Sequence, residues 1–250
     1  MGDTNRGEKG KRAGRRVLMK KKPVIILIWI LAAASSVIVL SLLIIARSND
    51  NYIDDKPQGT VITDVKARES FKVYVETGHG IDENGKWDTG CTWGNDQEAK
   101  LMIPIAKATA RYLERNGICV VTDAFENNNS NLEKALEYLD RNDIDVFVNI
   151  HCDYEFAEFG TMPLYHNNEQ KKLAGYINEG VHKYVDINDR GLVWRDDLET
   201  LCNKKVHCTS CLFETGCISK DNELLKTKYK EFGKGIARGI CKYLGTDFHE

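Results

Sequence analysis

The chain has 250 residues and a formal net charge of −2, a length that allows one large or two small domains. The near-neutral total hides an asymmetry: residues 1–22 carry nine Lys or Arg against two acids (+7), whereas the remaining residues carry 26 against 35 (−9). A basic tail is often a sign of nucleic-acid binding, but this one adjoins a hydrophobic segment and there indicates membrane topology. We therefore expect no nucleic-acid partner.

A hydrophobic segment follows the basic tail. Residues 24–46 are 23 residues without a charge, and as a helix they would measure about 34 Å, enough to cross a hydrocarbon core of about 30 Å. A cleaved signal peptide is the alternative, but its apolar region would be about 7–15 residues long. The sequence thus predicts a basic cytoplasmic tail over 1–22 and one transmembrane helix over 23–46. This signal anchor would leave the rest of the chain outside the cytoplasm, at the cell membrane.

The segment after the hydrophobic run is polar. Residues 47–70 contain Pro57 and Gly59 and show little periodicity, which predicts a flexible stem. About 180 residues, 71–250, then remain for one domain.

Beyond the stem, short β-rich runs alternate with longer helical patterns, which predicts an α/β fold with a mainly parallel twisted sheet and helices on both faces. Pro104 should kink the first helix or delay its start, because its ring clashes with the carbonyl four residues back. The predicted strands are 71–76, 118–122, 144–150 and 209–213, and the predicted helices are 98–116, 131–141, 168–184 and 222–243.

Three ionisable side chains follow the predicted strands. His79 comes three residues after the first strand, between Gly78 and Gly80, while His151 and Glu214 come directly after the third and fourth strands. Reactive residues gather at the carboxyl edge of parallel sheets. We therefore expect His79, His151 and Glu214 to lie at the same edge.

Two imidazoles and a carboxylate suit a zinc ion that keeps one position for water. Glu98 is the expected third ligand because it opens the helix that leads back to the next strand and can face His79. Asp88 and Asp96 are rival ligands, and Glu98 alone would be an acid favoured by the helix dipole. Glu214 is then left as the proton carrier.

The remaining histidines and the eight cysteines have plainer interpretations. His166, His182, His207 and His249 are expected to be surface or hydrogen-bonded structural residues. The cysteines could pair in an exported domain, although their number does not prove it. The group of His207, Cys208 and Cys211 is a weak candidate for a second metal site.

Five segments in order resemble the motifs of the zinc-dependent N-acetylmuramoyl-L-alanine amidases (amidase type 3, cell-wall hydrolases). GHG or ExG alone would mean little, but five motifs in order at compatible spacing are fairly specific, and the resemblance covers residues 71–244. The segments are VETGHG (75–80), QEAKLMIPIAKATARYLERNG (97–117), VFVNIHCD (146–153), DRGL (189–192) and CLFETGCIS (211–219).

The resemblance implies that His79, Glu98 and His151 bind Zn²⁺ and that Glu214 is catalytic. The reaction implied is hydrolysis of the amide bond between N-acetylmuramic acid and L-alanine in peptidoglycan, with Arg190 helping to orient the substrate. The usual Asp-Pro before the GHG motif is Glu76-Thr77 here. This departure and others bear on substrate preference and loop geometry. None of them removes a ligand or the catalytic Glu.

Two other functions compete with this one. A zinc peptidase would cut between residues of the stem peptide, and a non-catalytic wall-binding or regulatory protein would retain the fold. Peptidoglycan and the membrane are the expected partners, and an unidentified protein activator is a further candidate.

Overall fold

The computed structural model of the protein describes residues 70–82, 84–126 and 131–250. The predicted tail, transmembrane helix and nearly all of the stem lie outside these residues. Within the described part of the chain, no helix is both long and apolar enough to cross a membrane.

A six-stranded sheet forms the centre of the domain, in the order β6-β1-β7-β10-β8-β9. Strands β6, β1, β7 and β10 run parallel, β8 is antiparallel to β10, and β9 is parallel to β8. The prediction of a mainly parallel sheet is confirmed. The strands are β1 (Lys72–Thr77), β6 (Cys119–Thr122), β7 (Val146–Asp153), β8 (Met162–Tyr165), β9 (Val193–Trp194) and β10 (Thr209–Cys217).

Two short hairpins occupy the segment between β1 and the first helix. Strand β2 pairs with β3, and β4 pairs with β5, each antiparallel and two residues long. They shape the connection that carries His79 toward Glu98. Their bounds are β2 (Gly80–Ile81), β3 (Trp87–Asp88), β4 (Thr92–Trp93) and β5 (Asp96–Gln97).

Six α-helices accompany the sheet in the described residues. They are α1 (Glu98–Arg115), α2 (Leu132–Arg141), α3 (Asn168–His182), α4 (Glu199–Cys202), α5 (Asn222–Thr227) and α6 (Tyr229–Leu244). Helices α1, α3 and α6 contribute to the large core on one face of the sheet, whereas α2 and α4 pack on the other. Helices therefore cover both faces, as predicted.

Strand β7 shows how the pleat separates the two faces. Val146, Val148 and Ile150 point into the large core, while Phe147 belongs to the smaller cluster with α2. Successive side chains of a strand alternate between faces, so Asn149 lies on the same face as Phe147. Asn149 and His151, two residues further on, thus use the face that the large core leaves free.

Several predicted bounds are wrong. Strands β7 and β10 run three and four residues past their predicted ends, so His151 and Glu214 lie inside strands and not after them. Helix α1 begins at Glu98 with Pro104 in its second turn, so the late start expected from the proline does not occur. The closing helix is divided at Lys228, whose backbone leaves the helical region.

The sheet also contains two strands that the pattern did not predict, β8 and β9. Strand β8 includes Pro163, and proline lacks the amide that a central strand needs, so the local sequence does not favour a strand there. Pro163 is paired in register with Phe213 of β10. This antiparallel strand extends the sheet beyond β10, beside the strand that carries Glu214.

Candidate metal centre and active site

His79 lies in the turn between β1 and β2, with a left-handed backbone (φ 63°) that non-glycine residues seldom adopt. The preceding glycine is required for space: a Cβ at Gly78 would lie 2.3 Å from Cε1 of His151. Gly90, on the other side of the site, has a similar role, because its Cβ would lie 2.5 Å from Glu98 Oε2. The turn thus presents His79 beside the end of β7.

Glu98 is the first residue of α1 and only 3% of its side chain is exposed. Its two carboxylate oxygens accept hydrogen bonds from the backbone amides of Cys91 (3.0 Å) and Cys152 (3.1 Å). The same oxygens contact the histidines: Oε2 is 3.2 Å from His79 Nε2, and Oε1 is 2.9 Å from His151 Nδ1. Glu98 therefore joins two segments that are far apart in sequence.

The second nitrogen of each imidazole, which does not face Glu98, has its own hydrogen-bonding partner. His79 Nδ1 lies 2.8 Å from Asp88 Oδ2, and His151 Nε2 lies 2.5 Å from Asn149 Oδ1. Such partners fix the orientation of histidines that bind metals and determine which nitrogen is available to the ion. His79 Nε2 and His151 Nδ1 are the nitrogens left facing the Glu98 carboxylate.

The three candidate ligands converge on one point. One donor atom each from His79, Glu98 and His151 lies within 4.8 Å of the other two, and the imidazole centroids are 5.1 Å apart. Two nitrogens and an oxygen at this separation can surround one ion at bond lengths near 2 Å. The donor set and its geometry fit a zinc ion.

The rival carboxylates lie elsewhere. Asp88 contacts His79 on the nitrogen that faces away from Glu98, and Asp96 forms an ion pair with Lys226 at 3.0 Å. Of the three acids considered from the sequence, Glu98 is the one whose oxygens face both imidazoles.

Charge coupling within the cluster is strong. Burial alone would raise the pKa of Glu98, but the hydrogen bonds with His151 and His79 outweigh it and hold that pKa far below its usual range. For His79, burial opposes the charged form, yet Glu98 and Asp88 together raise the pKa to about 9. A cation between these groups would replace protons on the nitrogens that face Glu98.

Glu214 lies next to His151, because the two residues are register partners on the neighbouring strands β10 and β7. Its Oε2 is buried and has no hydrogen-bond partner among the described residues. Burial, with the nearby charges of Glu98 and Asp153, raises the pKa of Glu214 well above its usual range, although Arg190 and His79 oppose the shift. A buried carboxylate oxygen without a partner, beside a ligand cluster, indicates a group that meets a ligand or a proton.

Arg190 is placed by Asp153 at the end of β7. Its Nη1 donates to Asp153 Oδ2 at 2.7 Å, and both side chains are largely buried. Its charge acts on Glu214, as the pKa of that carboxyl shows. Asp153 is in register with Cys217, three residues beyond Glu214 on β10, so Arg190 is held at the same end of these two strands.

Two buried residues of the site were not predicted from the sequence. Asn149 contacts His151 through Oδ1 and donates through Nδ2 to Glu76 Oε2 at 2.6 Å. Burial and the charge of Asp123 raise the pKa of Glu76, against the hydrogen bond from Asn149. One signal was available: Asn149 is two residues before His151 in a strand, so both side chains lie on one face.

A cavity of about 470 Å³ opens beside the cluster. Its walls include both histidines and extend away from them to α4 and the middle of β10. The lining residues include His79, Asp88, Asn149, His151, Leu198 and Leu212.

The weak second metal candidate is wrong. Cys211 is buried in the large core, whereas Cys208 packs with the α2 cluster on the opposite face, so the two thiols cannot share an ion. His207 lies 3.5 Å from Asp140 instead. His166 and His182 are hydrogen-bonded to Arg195 and Thr161, as expected of structural histidines.

Fold and cluster together define a mixed α/β domain with a candidate metal centre at the carboxyl edge of its sheet. A sequence profile of the family described as N-acetylmuramoyl-L-alanine amidase matches residues 73–244. The chain belongs to the N-acetylmuramoyl-L-alanine amidase family, and its function is that of a peptidoglycan amidase. Among curated protein sequences, none matches the chain.

Solved structures of such amidases share the fold. The amidase AmiC2 of Nostoc punctiforme is 27% identical with a TM-score of 0.61, and the match covers 70% of this chain and 97% of that one. An amidase of Clostridium difficile 630 is 26% identical, with the same TM-score and the same coverage. The CwlD amidase of Clostridioides difficile, solved in complex with the GerS lipoprotein, is 21% identical with a TM-score of 0.57, covering 71% of this chain and all of that one.

Proposed function

We propose that the domain hydrolyses the amide bond between N-acetylmuramic acid and L-alanine with a zinc ion held by His79, Glu98 and His151. The observation that carries this proposal is their convergence within 4.8 Å, next to the buried, unpartnered oxygen of Glu214. Three protein ligands leave one tetrahedral position for water or substrate, the arrangement of catalytic zinc sites.

Zinc supplies Lewis acidity when bound: it lowers the pKa of a coordinated water toward about 7 and polarises an amide carbonyl. The chain's own residues orient that chemistry. Asp88 and Asn149 hold the outer nitrogens of the two imidazoles, and the amides of Cys91 and Cys152 hold the Glu98 carboxylate.

Glu214 is the proposed proton carrier. Its Oε2 accepts the proton of the attacking water and delivers it to the leaving nitrogen of L-alanine. Burial raises its pKa, and a carboxylate with a raised pKa is a stronger base for the first step. Arg190, held by Asp153, limits that shift and is the residue proposed to orient the substrate.

Digestion of purified sacculi by the full chain in detergent tests the proposal. We expect mass analysis to find stem peptides that begin with L-alanine, together with glycan whose lactyl groups are free. Products that begin at an inner residue of the stem would identify a peptidase, and wall binding without release would identify a non-catalytic protein.

Glu214→Gln tests the role of the proton carrier. The amide cannot accept the proton, so kcat should fall about 10²–10⁴-fold while bound zinc stays near one ion per chain. The matched control is Glu223→Gln, an exposed carboxylate on α5, which should retain wild-type activity. Glu214→Gln with most of its amidase rate would contradict the assignment.

Anchoring at the membrane is part of the same proposal. A transmembrane helix over 23–46 and a stem over 47–70 would keep the domain outside the cytoplasm and within about 25 Å of the bilayer on average, so it would reach only the nearest wall. Protease added outside intact cells should then digest the domain while leaving the tail. If the domain resisted this protease until the cells were broken open, the proposed topology would be wrong.

A protein activator remains a proposal as well. It is supported by the complex of the CwlD amidase with the GerS lipoprotein. Full activity of the purified chain alone on sacculi would exclude a required activator.

A further inference from the structure

Two cysteines, Cys91 and Cys152, lie beside the candidate metal centre, and their thiols have no part in the proposed reaction. The sulfur atoms of Cys91 and Cys152 lie within 4.8 Å of each other and of a Glu98 oxygen. Cys91 Sγ also lies 3.4 Å from the backbone oxygens of Cys152 and Asp153. The two thiols thus bring the loop before α1 against the end of β7.

We propose that Cys91 and Cys152 form a disulfide that ties the loop before α1 to β7 beneath the metal centre. The backbone amides of these same residues hold the two oxygens of Glu98. A covalent bond between them would fix both donors relative to each other, and with them the carboxylate. The cross-link closes a loop of about 60 residues that begins before α1 and ends in β7.

The accessibility of the two thiols gives the order of the reaction. Cys91 is partly exposed, whereas Cys152 is 2% exposed. Cys91 would attack a small-molecule or protein disulfide as a thiolate, forming a mixed disulfide and releasing one thiol. Cys152 then displaces the second thiol, so two protein thiols are oxidised and one external disulfide is reduced to two thiols.

A second metal site is the alternative for the same atoms, and the structure favours the disulfide. Metal binding needs both cysteines as thiolates beside the Glu98 carboxylate. Both oxygens of that carboxylate already face the imidazoles and the amides of Cys91 and Cys152, so two thiolates would add negative charge beside a carboxylate that is already engaged. A disulfide is neutral and places no additional negative charge beside the Glu98 carboxylate.

The other cysteines have different surroundings. Cys211 and Cys241 are buried in the large core, and the sulfur of Cys217 contacts the backbone oxygen of Tyr154. Cys119 is exposed on β6, which lies beyond β1 in the sheet, so it provides a control outside the site.

Peptide mapping of the full chain in detergent tests the proposal. The protein is equilibrated in glutathione buffers from fully reduced to fully oxidised, alkylated in acid and digested. We expect a linked peptide that contains Cys91 and Cys152 to accumulate as the oxidised fraction rises, with and without zinc. The same link should form in Cys119→Ser and be absent from Cys91→Ser.

Thermal unfolding gives a second measurement that does not depend on amidase activity. In metal-free protein, oxidation should raise the Tm by about 5–10 °C, because a cross-link restricts the unfolded chain. The difference should vanish in Cys91→Ser. A link to another cysteine, or two singly alkylated residues in the oxidised buffer, would overturn the proposal.

Cobalt substitution distinguishes the disulfide from the metal alternative. A thiolate-to-cobalt charge-transfer band in the reduced protein that disappears in Cys91→Ser would show the pair as metal ligands and overturn the inference. No such band, together with the linked peptide, is the expected result. Because the mapping also works without metal, a failed disulfide and a failed zinc site give different results.

Discussion

The two faces of the central sheet differ in how they use the same strands. On the face of α1, α3 and α6, the side chains of β1, β7 and β10 form a continuous apolar core. On the other face, small apolar clusters give way toward the carboxyl edge to Glu76, Asn149, His151 and Glu214. The apolar face stabilises the fold and carries no reactive residue. Its packing fixes the strands that present the polar residues on the other face.

The largest expected effect is at the carboxyl edge of the sheet, where Glu98 at the start of α1 joins the two histidines of the site. Glu98→Gln replaces one oxygen with an NH₂ group that would meet a backbone amide, and it removes the charge that faces both imidazoles. We expect zinc affinity to fall at least about 100-fold and amidase activity to be lost. Asp96→Asn, two residues away, breaks an ion pair with Lys226 outside the metal cluster and should change neither quantity. Equal losses in both variants would contradict the ligand assignment.

On the apolar face, a single substitution should affect the stability of the fold and leave zinc binding unchanged. A Cβ at Gly239 of α6 would lie 2.4 Å from Cα of Ile177 in α3, so Gly239→Ala should lower the free energy of unfolding by about 1–3 kcal/mol. Gly175→Ala in α3 meets only Leu192 at 3.7 Å and should keep or raise stability by up to about 1 kcal/mol. Denaturant titration measures both. The folded fraction of Gly239→Ala should still bind zinc with wild-type affinity.

The same glycine-to-alanine change at the site should give the opposite pattern. Gly78→Ala places a Cβ against the ring of His151, which must turn away from Glu98. We expect zinc affinity to fall about 10–100-fold, measured by competition with a chelator, with a smaller change in unfolding free energy than in Gly239→Ala. If Gly78→Ala lost stability and kept its zinc affinity, the division between the two faces would be wrong.

A smaller effect is expected at the edge of the polar face. Arg190→Gln removes a charge that lowers the pKa of Glu214, so that pKa should rise further. Since Glu214 accepts a proton only as a carboxylate, the acid limb of the kcat profile should move to higher pH, with kcat down by about tenfold at neutral pH. Rates measured across pH 5–9 test this. An unchanged acid limb would show that Arg190 does not act on Glu214.

The apolar face was the easier one to predict from sequence. The apolar spacing of α6 and the β-branched starts of β7 and β10 follow local periodicity, which burial on one face imposes. His151 and Glu214 interrupt that pattern, so both were placed after strands that in fact contain them. Their common edge was still predicted correctly, because it depends on strand direction and not on the last paired residue.

The hydrogen bond between Asn149 and Glu76 could not be predicted from local periodicity. Asn149 and Glu76 are buried polar residues on neighbouring strands, and their hydrogen bond depends on the pairing of β1 with β7. Pro163 concealed β8, because the local rule against proline in strands ignores which neighbour the strand has. Contacts made across the sheet, unlike periodicity along one strand, leave no signal in a single sequence.

The placement of His151 and Glu214 inside paired strands separates reactivity from recognition. Backbone ladders hold both residues, whereas the segment between β7 and β8 lies outside the sheet and exposes Tyr154, Phe156 and Phe159. That connection can lengthen, shorten or change composition without displacing His151 and Glu214, whereas the hairpins before α1 are tied to the metal centre. A lineage, or an engineer, can therefore refit this scaffold to walls of different architecture by rewriting its surface loops, while the hydrolytic step stays the same.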